Sequence, residues 1–130
     1  MENATTTHAV PPVTGYRPLS DADVELMNRI KAKGNELMEL FNEVCIAAQT
    51  KGNVLWADEQ NAQALLKAAE KDNADPQGIA AAQATLEGVH ARINAFNNAE
   101  PMRWANIGRT DIQTGIMALV RAVAQPDTLC

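Results

Sequence analysis

The side chains with the most chemical capacity lie close together near the carboxyl end, in residues 103–126. Hydrogen-bonding groups crowd this segment: Arg103, Arg109, Thr110, Asp111, Gln113 and Thr114. Guanidinium groups bind phosphates and carboxylates through paired N–H donors, and nearby hydroxyl and amide groups can add hydrogen bonds. The segment is therefore equipped to bind an anion, although Asp111 so close to Arg109 also fits a structural ion pair.

Apolar residues of the same segment recur at three- and four-residue steps, which predicts one amphipathic helix that Pro126 ends. The predicted stripe consists of Trp104, Ile107, Gly108, Asp111, Ile112, Gly115, Leu119 and Val123. A glycine inside a helix costs about 1 kcal/mol relative to alanine. Two glycines on one stripe therefore predict that another backbone or a ligand comes close to the helix there.

Further candidates for an anion site lie in the amino-terminal third of the chain: Tyr16, Arg17, Lys31 and Lys33. A tyrosine ring offers a face on which a base can stack, and lysine and arginine neutralise phosphates. The alternative interpretation is an ordinary solvated surface, with Tyr16 holding the amino-terminal arm against the helices.

No catalytic or metal-binding pattern accompanies these residues. His8 and His90 have no histidine or cysteine at a ligand spacing, so we expect no metal site. Cys45 lies in an apolar helical pattern and Cys130 is the last residue, which favours a packed thiol and no disulfide framework. Glycine-rich phosphate loops and nucleophile motifs are also missing from the sequence. We therefore expect neither an enzyme nor a cofactor.

Composition favours a helical bundle. The 130 residues are 46% hydrophobic but only 4% aromatic, so aliphatic side chains must supply the core. The net charge is −5, with −2 in residues 1–53, −4 in 54–100 and +1 in 101–130. This acidity argues against a DNA-binding protein, and no apolar run is long enough for a membrane helix. The two ends of the chain keep enough cations for a local anion pocket.

Local signals predict where the helices begin and end. Ser20 and Asp23 form a capping pair at the start of the first helix, which we expect to run to about Thr50. Lys51-Gly52-Asn53 is a stop signal with glycine at the cap, and a shorter helix follows over residues 55–71.

The next helix is predicted to start at Asp75-Pro76, with aspartate as the cap and proline in the first turn. Its apolar residues keep a seven-residue period typical of a hairpin arm: Ile79, Gln83, Leu86, Val89 or His90, Ile93 and Phe96. The predicted parts of the chain are a flexible arm at 1–15 and a single helical domain at 16–130, with core helices at 16–52 and 101–126 and an inserted helical hairpin at 54–100.

The predicted fold class is all-α, a small antiparallel helical bundle, because no segment alternates β-branched and polar residues. The first helix carries two neighbouring apolar stripes. One contains Val24, Met27, Gly34, Met38, Phe41 and Cys45, and the other contains Leu26, Ile30, Leu37, Leu40 and Val44. A helix with one wet side needs a single stripe. Two stripes predict more than one packing partner, which a small chain finds most easily in other copies of itself, in a compact homo-oligomer.

Three separated segments resemble the phage-encoded anti-CBASS cyclic-oligonucleotide sponges: residues 15–20, 30–34 and 103–126. The resemblance covers about residues 14–52 and 100–126, and its last block is the specific part. Members of that family are small helical proteins that assemble into compact homo-hexamers. They sequester the cyclic dinucleotide and trinucleotide messengers of bacterial antiviral synthases without cleaving them. The segment 54–100 is longer than the resemblance leads us to expect.

The resemblance also implies roles for individual residues. Tyr16 matches a tyrosine that contacts a base of the cyclic dinucleotide, and Arg17 lies beside it. Lys31 best matches the lysine that pairs with the phosphates, with Lys33 two positions away as the other fit. In the family, a separate cyclic-trinucleotide pocket near the symmetry axis uses an arginine of the last helix, for which Arg103 and Arg109 are the candidates here. Lys33 is a further candidate residue of that pocket.

On this resemblance we expect a non-catalytic sponge for cyclic GMP-AMP and related cyclic oligonucleotides, acting in the cytoplasm of the infected bacterium. Its expected partners are these nucleotides and further copies of itself in a hexamer, without membrane or DNA. The alternative is a helical phage structural or interaction protein that acts through protein–protein contacts, with the hairpin at 54–100 binding a host protein.

Overall fold

The computed structural model describes residues 18–72 and 75–125. They form three helices: α1 (Asp21–Lys71), α2 (Pro76–Ala99) and α3 (Pro101–Ala124). All regular secondary structure in the two described ranges is helical, so the all-α prediction is confirmed. The predicted arm at residues 1–15 and the helix-ending Pro126 lie outside the described residues.

The start of α1 is the predicted capping pair. Ser20 Oγ accepts a hydrogen bond from the backbone N–H of Asp23 at 3.1 Å. In return, Asp23 Oδ2 accepts one from the N–H of Ser20 at 3.1 Å. The two bonds satisfy N–H groups at the helix start, and the carboxylate also faces the positive end of the helix dipole. Local side-chain chemistry therefore fixes this helix start.

The predicted stop at Lys51-Gly52-Asn53 is wrong, because α1 continues through it and is 51 residues long. The first part of the segment 54–100 is therefore the second half of α1 and not a separate helix. The inward face explains the continuity: Cys45, Ala48, Gly52 and Leu55 are buried or half-buried at unbroken three- and four-residue steps. Packing along this face outweighs the cost of about 1 kcal/mol for a glycine inside a helix.

The predicted start of α2 is confirmed. Asp75 Oδ1 accepts a hydrogen bond from the N–H of Gly78 at 2.7 Å, and proline occupies the first turn. The inward face of α2 keeps the seven-residue period with one correction, since Ala82 takes the place expected of Gln83, which is exposed. Val89 rather than His90 is the buried residue of the uncertain pair.

One residue separates α2 from α3. Glu100 adopts a left-handed backbone with φ 47°, and its N–H donates to the carbonyl oxygen of Asn97 at 3.1 Å. Its own carbonyl accepts the N–H of Trp104 at 3.2 Å, which opens α3. The helix cannot run straight on, because Pro101 has no N–H and its ring excludes the helical conformation for the residue before it.

Packing divides the chain into two compact units whose boundaries fall inside α1 and α3. The first unit contains the described residues 18–35 and 113–125. There Gly34 of α1 lies directly against the side chain of Ile116 of α3: a β-carbon at position 34 would be 2.9 Å from Ile116 Cγ1. The glycine thus permits a close approach of the two helices within this unit.

The second unit is Glu36–Ile112. In it α1 runs antiparallel to α2 and to the first half of α3, as the contacts show. From α1, Phe41 meets Arg109, the backbone at Gly52 meets the ring of Phe96, and Asp58 meets Arg92. The partner numbers fall as the α1 numbers rise. An antiparallel arrangement of helices is therefore confirmed within this unit.

The core of the described chain is thin. The buried hydrophobic side chains are Ala48, Ala62, Val89 and Ala124, and no large side chain is fully buried. In contrast, fifteen large hydrophobic residues are between 38% and 71% exposed. Within the described ranges no helix combines the length and the apolar character needed to cross a bilayer.

Two helix glycines allow a matched test of the close approach in the first unit. Gly34→Ala and Gly88→Ala gain the same helix propensity, but only the first places a methyl group against another helix. Nothing lies within 4 Å of a β-carbon at Gly88. We expect Gly88→Ala to raise the free energy of unfolding by up to about 1 kcal/mol. Gly34→Ala should be less stable than Gly88→Ala by roughly 1–3 kcal/mol, because overpacking opposes the gain. Urea unfolding measures both, and equal stabilisation would contradict the packing.

Candidate functional site

A shallow groove on α3 contains one of the predicted arginines. Its volume is about 540 Å³, and it is lined by Arg103, Asn106, Ile107, Thr110 and Asp111. We call it the α3 groove. Each position lies three or four residues from another member of the set, so the five share one broad side of the helix. The sequence pattern indicated Thr110 but not Asn106, although a spacing of three residues from Arg103 places Asn106 on the same side.

Arg103 is oriented in the groove by its neighbours but stays accessible. Its Nη1 donates a hydrogen bond to Glu100 Oε2 at 2.9 Å, and its guanidinium carbon lies 5.6 Å from the ring centroid of Trp104. The side chain is 62% exposed and that of Glu100 is 49% exposed. An exposed pair of this kind contributes at most about 1 kcal/mol. A phosphate can therefore compete with Glu100 for the guanidinium.

Arg109 has a different environment. Its guanidinium carbon lies 5.8 Å from the ring centroid of Phe41 on α1, in a cation–π contact between helices. The ion pair that the sequence suggested between Arg109 and Asp111 is not formed among the described residues. Residues two apart on a helix project about 200° apart, which explains the separation. Arg109 therefore braces α3 against α1, and Asp111 is left in the α3 groove.

The two candidate lysines project from opposite sides of α1. Lys31 and Lys33 are both exposed and lie two residues apart, so one pocket of a single chain cannot use both. Lys33 shares a helix face with Leu26 and Leu40, each seven residues away and at least 40% exposed. Lys31 lies away from this apolar stripe, and within the described chain it has no hydrogen bond or ion pair.

The stripe predicted on α3 divides between two faces of the helix. Trp104 is 60% exposed and Leu119 is 54% exposed. The inward positions of α3 include Ala105, Gly108, Ile112, Ile116, Val120, Val123 and the buried Ala124. A β-carbon at Gly108 or Gly115 would meet nothing within 4 Å. The missing side chains are therefore not explained by contacts inside the chain, and the approach of a second molecule there stays a prediction.

Several other sequence candidates lie outside the described residues or away from any site. Tyr16 and Arg17 belong to the first group. Within the described ranges, no cluster of three or more histidine, cysteine or acidic residues is arranged to hold a metal ion. His90 Nε2 lies 3.7 Å from Glu59 Oε2, a contact between α2 and α1. Cys45 is a half-buried free thiol on the inward side of α1.

A double-mutant cycle tests the cation–π contact. Phe41→Leu and Arg109→Gln should each lower the free energy of unfolding, and the double variant should lose less than their sum by about 0.5–1 kcal/mol. The matched control pairs Phe41→Leu with Arg103→Gln, whose guanidinium contacts Glu100 and Trp104 instead. Coupling in the control as large as with Arg109 would contradict the assignment. Urea unfolding provides the four free energies of each cycle.

Comparison with known proteins gives the evolutionary context. No profile of a protein family matches the chain. It is, however, 39% identical over 115 residues to Anti-CBASS protein 2 of Pseudomonas phage JBD67. The match covers 88% of this chain and 92% of the relative.

Only 15 of the 130 residues fall outside the match (130 minus 115), whereas the segment 54–100 has 47 residues. Most of that segment is therefore shared with the relative. This identity and coverage confirm the resemblance drawn from the three sequence segments. The chain belongs to the anti-CBASS protein 2 family.

Proposed function

We propose that this protein blocks CBASS antiviral signalling inside the infected bacterium by binding and sequestering its cyclic oligonucleotide messengers. Cyclic GMP-AMP and related cyclic di- and trinucleotides are the proposed ligands. The observation that carries the proposal is the similarity of 39% over 88% of the chain to a phage protein whose name states an action against CBASS. Exposed cationic side chains on α1 and α3 provide the chemistry that such anionic ligands need.

The proposed cyclic-dinucleotide pocket uses Tyr16, Arg17 and Lys31. A lysine contributes a compact positive charge with three donors, which suits a phosphate. The exposure of Lys31 and its lack of a bonding partner in the described chain support this role. The aromatic ring of Tyr16 would stack on a base, as aromatic side chains do with unpaired bases.

The proposed cyclic-trinucleotide pocket uses Lys33, Arg103 and Arg109. Arg103 is supported most directly, because it lies in the α3 groove beside hydroxyl, amide and carboxylate groups. Arg109 is exposed, and it would have to share its guanidinium between the ring of Phe41 and a ligand that accepts hydrogen bonds from its N–H groups. The residue set needs no base or nucleophile, in keeping with a sponge that holds its ligand without turnover and needs no cofactor.

We also propose that the protein acts as a homo-oligomer, a hexamer on the family resemblance. The thin core supports association, since contiguous exposed apolar surface on a soluble protein marks an interaction site. Leu26, Leu37, Leu40 and Val44 form one such stripe on α1, each 40% to 54% exposed. Helix glycines without a neighbour at positions 108 and 115 would permit close crossings between copies.

Ligand release tests the central proposal. The purified protein is incubated with each of a panel of cyclic di- and trinucleotides, and binding is measured by calorimetry. The protein is then denatured and the released nucleotide is identified by mass spectrometry. We expect intact ligand in stoichiometric amounts. Recovery of linear or hydrolysed nucleotide would overturn sequestration in favour of an enzyme, and no heat of binding across the panel would overturn ligand binding.

Variants in the same assay separate the two pockets. Lys31→Ala should weaken cyclic-dinucleotide binding by roughly 10-fold or more, the effect of losing one charge-assisted hydrogen bond. Arg103→Ala should weaken cyclic-trinucleotide binding by a similar factor. Each variant serves as the control for the other ligand class, so equal losses for both classes would contradict two separate pockets.

A charge placed on the exposed stripe tests the proposed assembly. Leu40→Glu introduces a carboxylate in the stripe, whereas the matched control Asn42→Glu adds the same charge about 200° away on α1. We expect Leu40→Glu to reduce the molar mass measured by light scattering, because a buried unpaired carboxylate destabilises an interface. The control should keep the mass of the natural protein. An unchanged mass for Leu40→Glu would exclude this stripe from the interface.

The alternative function is that of a helical interaction protein. The large number of exposed hydrophobic residues favours it, among them Trp56 at 65% and Leu65 at 61%, both on the second half of α1. Under this alternative, Lys31→Ala would leave inhibition of CBASS in infected cells intact. Charge reversal on the second half of α1 would abolish it.

A further inference from the structure

We propose that Asp111 reads a guanine base, so that the α3 groove prefers a guanine-containing cyclic trinucleotide to one made of adenine alone. The inference rests on the proposed function, and it assigns a specificity role to a residue that the phosphate-binding set leaves out. Asp111 lies in the same groove as Arg103, and the proposed ligand is itself a polyanion.

The groove as a whole is not strongly cationic. Arg103 contributes one positive charge, but Glu100 holds its guanidinium at 2.9 Å and Asp111 adds a second carboxylate to the neighbourhood. A carboxylate repels phosphate groups. Asp111 can therefore favour the ligand only by accepting hydrogen bonds from its uncharged parts, which are the bases and the ribose hydroxyl groups.

Nothing in the described chain uses the acceptor capacity of Asp111. It forms no hydrogen bond or ion pair with a described residue, and it is exposed. In contrast, the hydroxyl of Thr110 in the same groove already donates to the carbonyl oxygen of Asn106 at 3.1 Å. Asp111 is thus a carboxylate with both oxygens available to a ligand.

The arrangement of donors on a base decides which base a carboxylate binds. Guanine presents two adjacent N–H donors on its Watson–Crick edge, at N1 and N2, and the two carboxylate oxygens can accept both in parallel. Adenine presents one amino donor beside an unprotonated ring nitrogen, whose lone pair would face the second carboxylate oxygen. A carboxylate at this position therefore favours guanine and disfavours adenine.

The neighbouring groups fit the rest of such a ligand. Arg103 can bind a phosphate, because its pair with Glu100 is exposed and weak. Trp104 is 60% exposed and follows Arg103 on the helix, with the guanidinium 5.6 Å from its ring centroid. Aromatic rings and guanidinium planes are the usual stacking partners of unpaired bases. Phosphate binding by Arg103 and base reading by Asp111 are then separate tasks of two side chains that lie eight residues apart, about 12 Å along the helix axis.

Calorimetry with two cyclic trinucleotides tests the proposal. The natural protein and Asp111→Asn are titrated with cyclic AMP-AMP-GMP and with cyclic tri-AMP. Asparagine keeps the size of the side chain but replaces one acceptor by a donor, so the parallel pair with guanine is lost. A bidentate contact to a base contributes about 1–3 kcal/mol of discrimination, and we expect Asp111→Asn to weaken binding of the guanine-containing ligand by roughly 5- to 140-fold. Binding of cyclic tri-AMP should stay within twofold or improve.

Glu87→Gln is the matched control, because it makes the same charge change on α2, outside the lining of the α3 groove. Cyclic GMP-AMP, which the proposed function assigns to the Lys31 pocket, reports that Asp111→Asn is folded and should bind unchanged. A ligand-side variant sharpens the test. Replacing guanine by hypoxanthine removes the N2 amino group, so cyclic AMP-AMP-IMP should bind the natural protein more weakly and should lose little further affinity with Asp111→Asn.

The outcomes distinguish a failure of guanine reading from a failure of the proposed function on which it rests. No binding of any cyclic oligonucleotide to the natural protein would overturn the proposed function. Binding with an equal loss for both trinucleotides in Asp111→Asn, or with no loss for either, would overturn guanine reading while leaving sequestration in place. A selective loss for the guanine-containing ligand supports the assignment.

Discussion

The narrow seam between α1 and its partner helices is the constraint on which the rest of the structure depends. A helix buries only the stripe that faces its partner. In each unit α1 meets α2 or α3 through small residues, including Gly34, Ala48, Gly52 and Ala62. Small side chains bring helices close but bury little surface. The seam therefore fixes the antiparallel pairing within the second unit and leaves most large hydrophobic residues partly exposed.

The same constraint leaves whole helix faces exposed in the described part of the chain. Such faces are free to bind ligands or further copies, and the chain places different groups on them. α1 presents an aliphatic stripe with Lys33 within it, and α3 presents the polar α3 groove with Trp104 beside it. The proposed assembly and the proposed ligand binding therefore use different helix faces.

Charge is unevenly divided between the two units. Residues 18–35 and 113–125 carry four cations and three carboxylates, a net of +1, whereas residues 36–112 carry six and eleven, a net of −5. With Glu2, Arg17 and Asp127 counted as well, the first unit is neutral. An anionic ligand is therefore opposed by the field of the second unit and not by that of the first. For Arg103 and Arg109, which lie in the second unit, the proposed binding would have to rest on directed hydrogen bonds and stacking more than on net charge.

The sequence by itself determined the fold class, the capped starts of α1 and α2, the break before Pro101 and the family, because these depend on local chemistry or on residue identity. It could not determine that α1 passes through Gly52, since the stop signal is local and the packing of Phe96 against that position comes from α2. It also left open whether Arg109 pairs with Asp111 or binds an anion, whereas the guanidinium in fact contacts the ring of Phe41 on α1. Only the tertiary structure distinguished Arg109, which contacts Phe41 on α1, from Arg103 and Asp111, which line the α3 groove. The partner of a side chain on another helix is set by the register between the two helices and not by residue spacing along one helix.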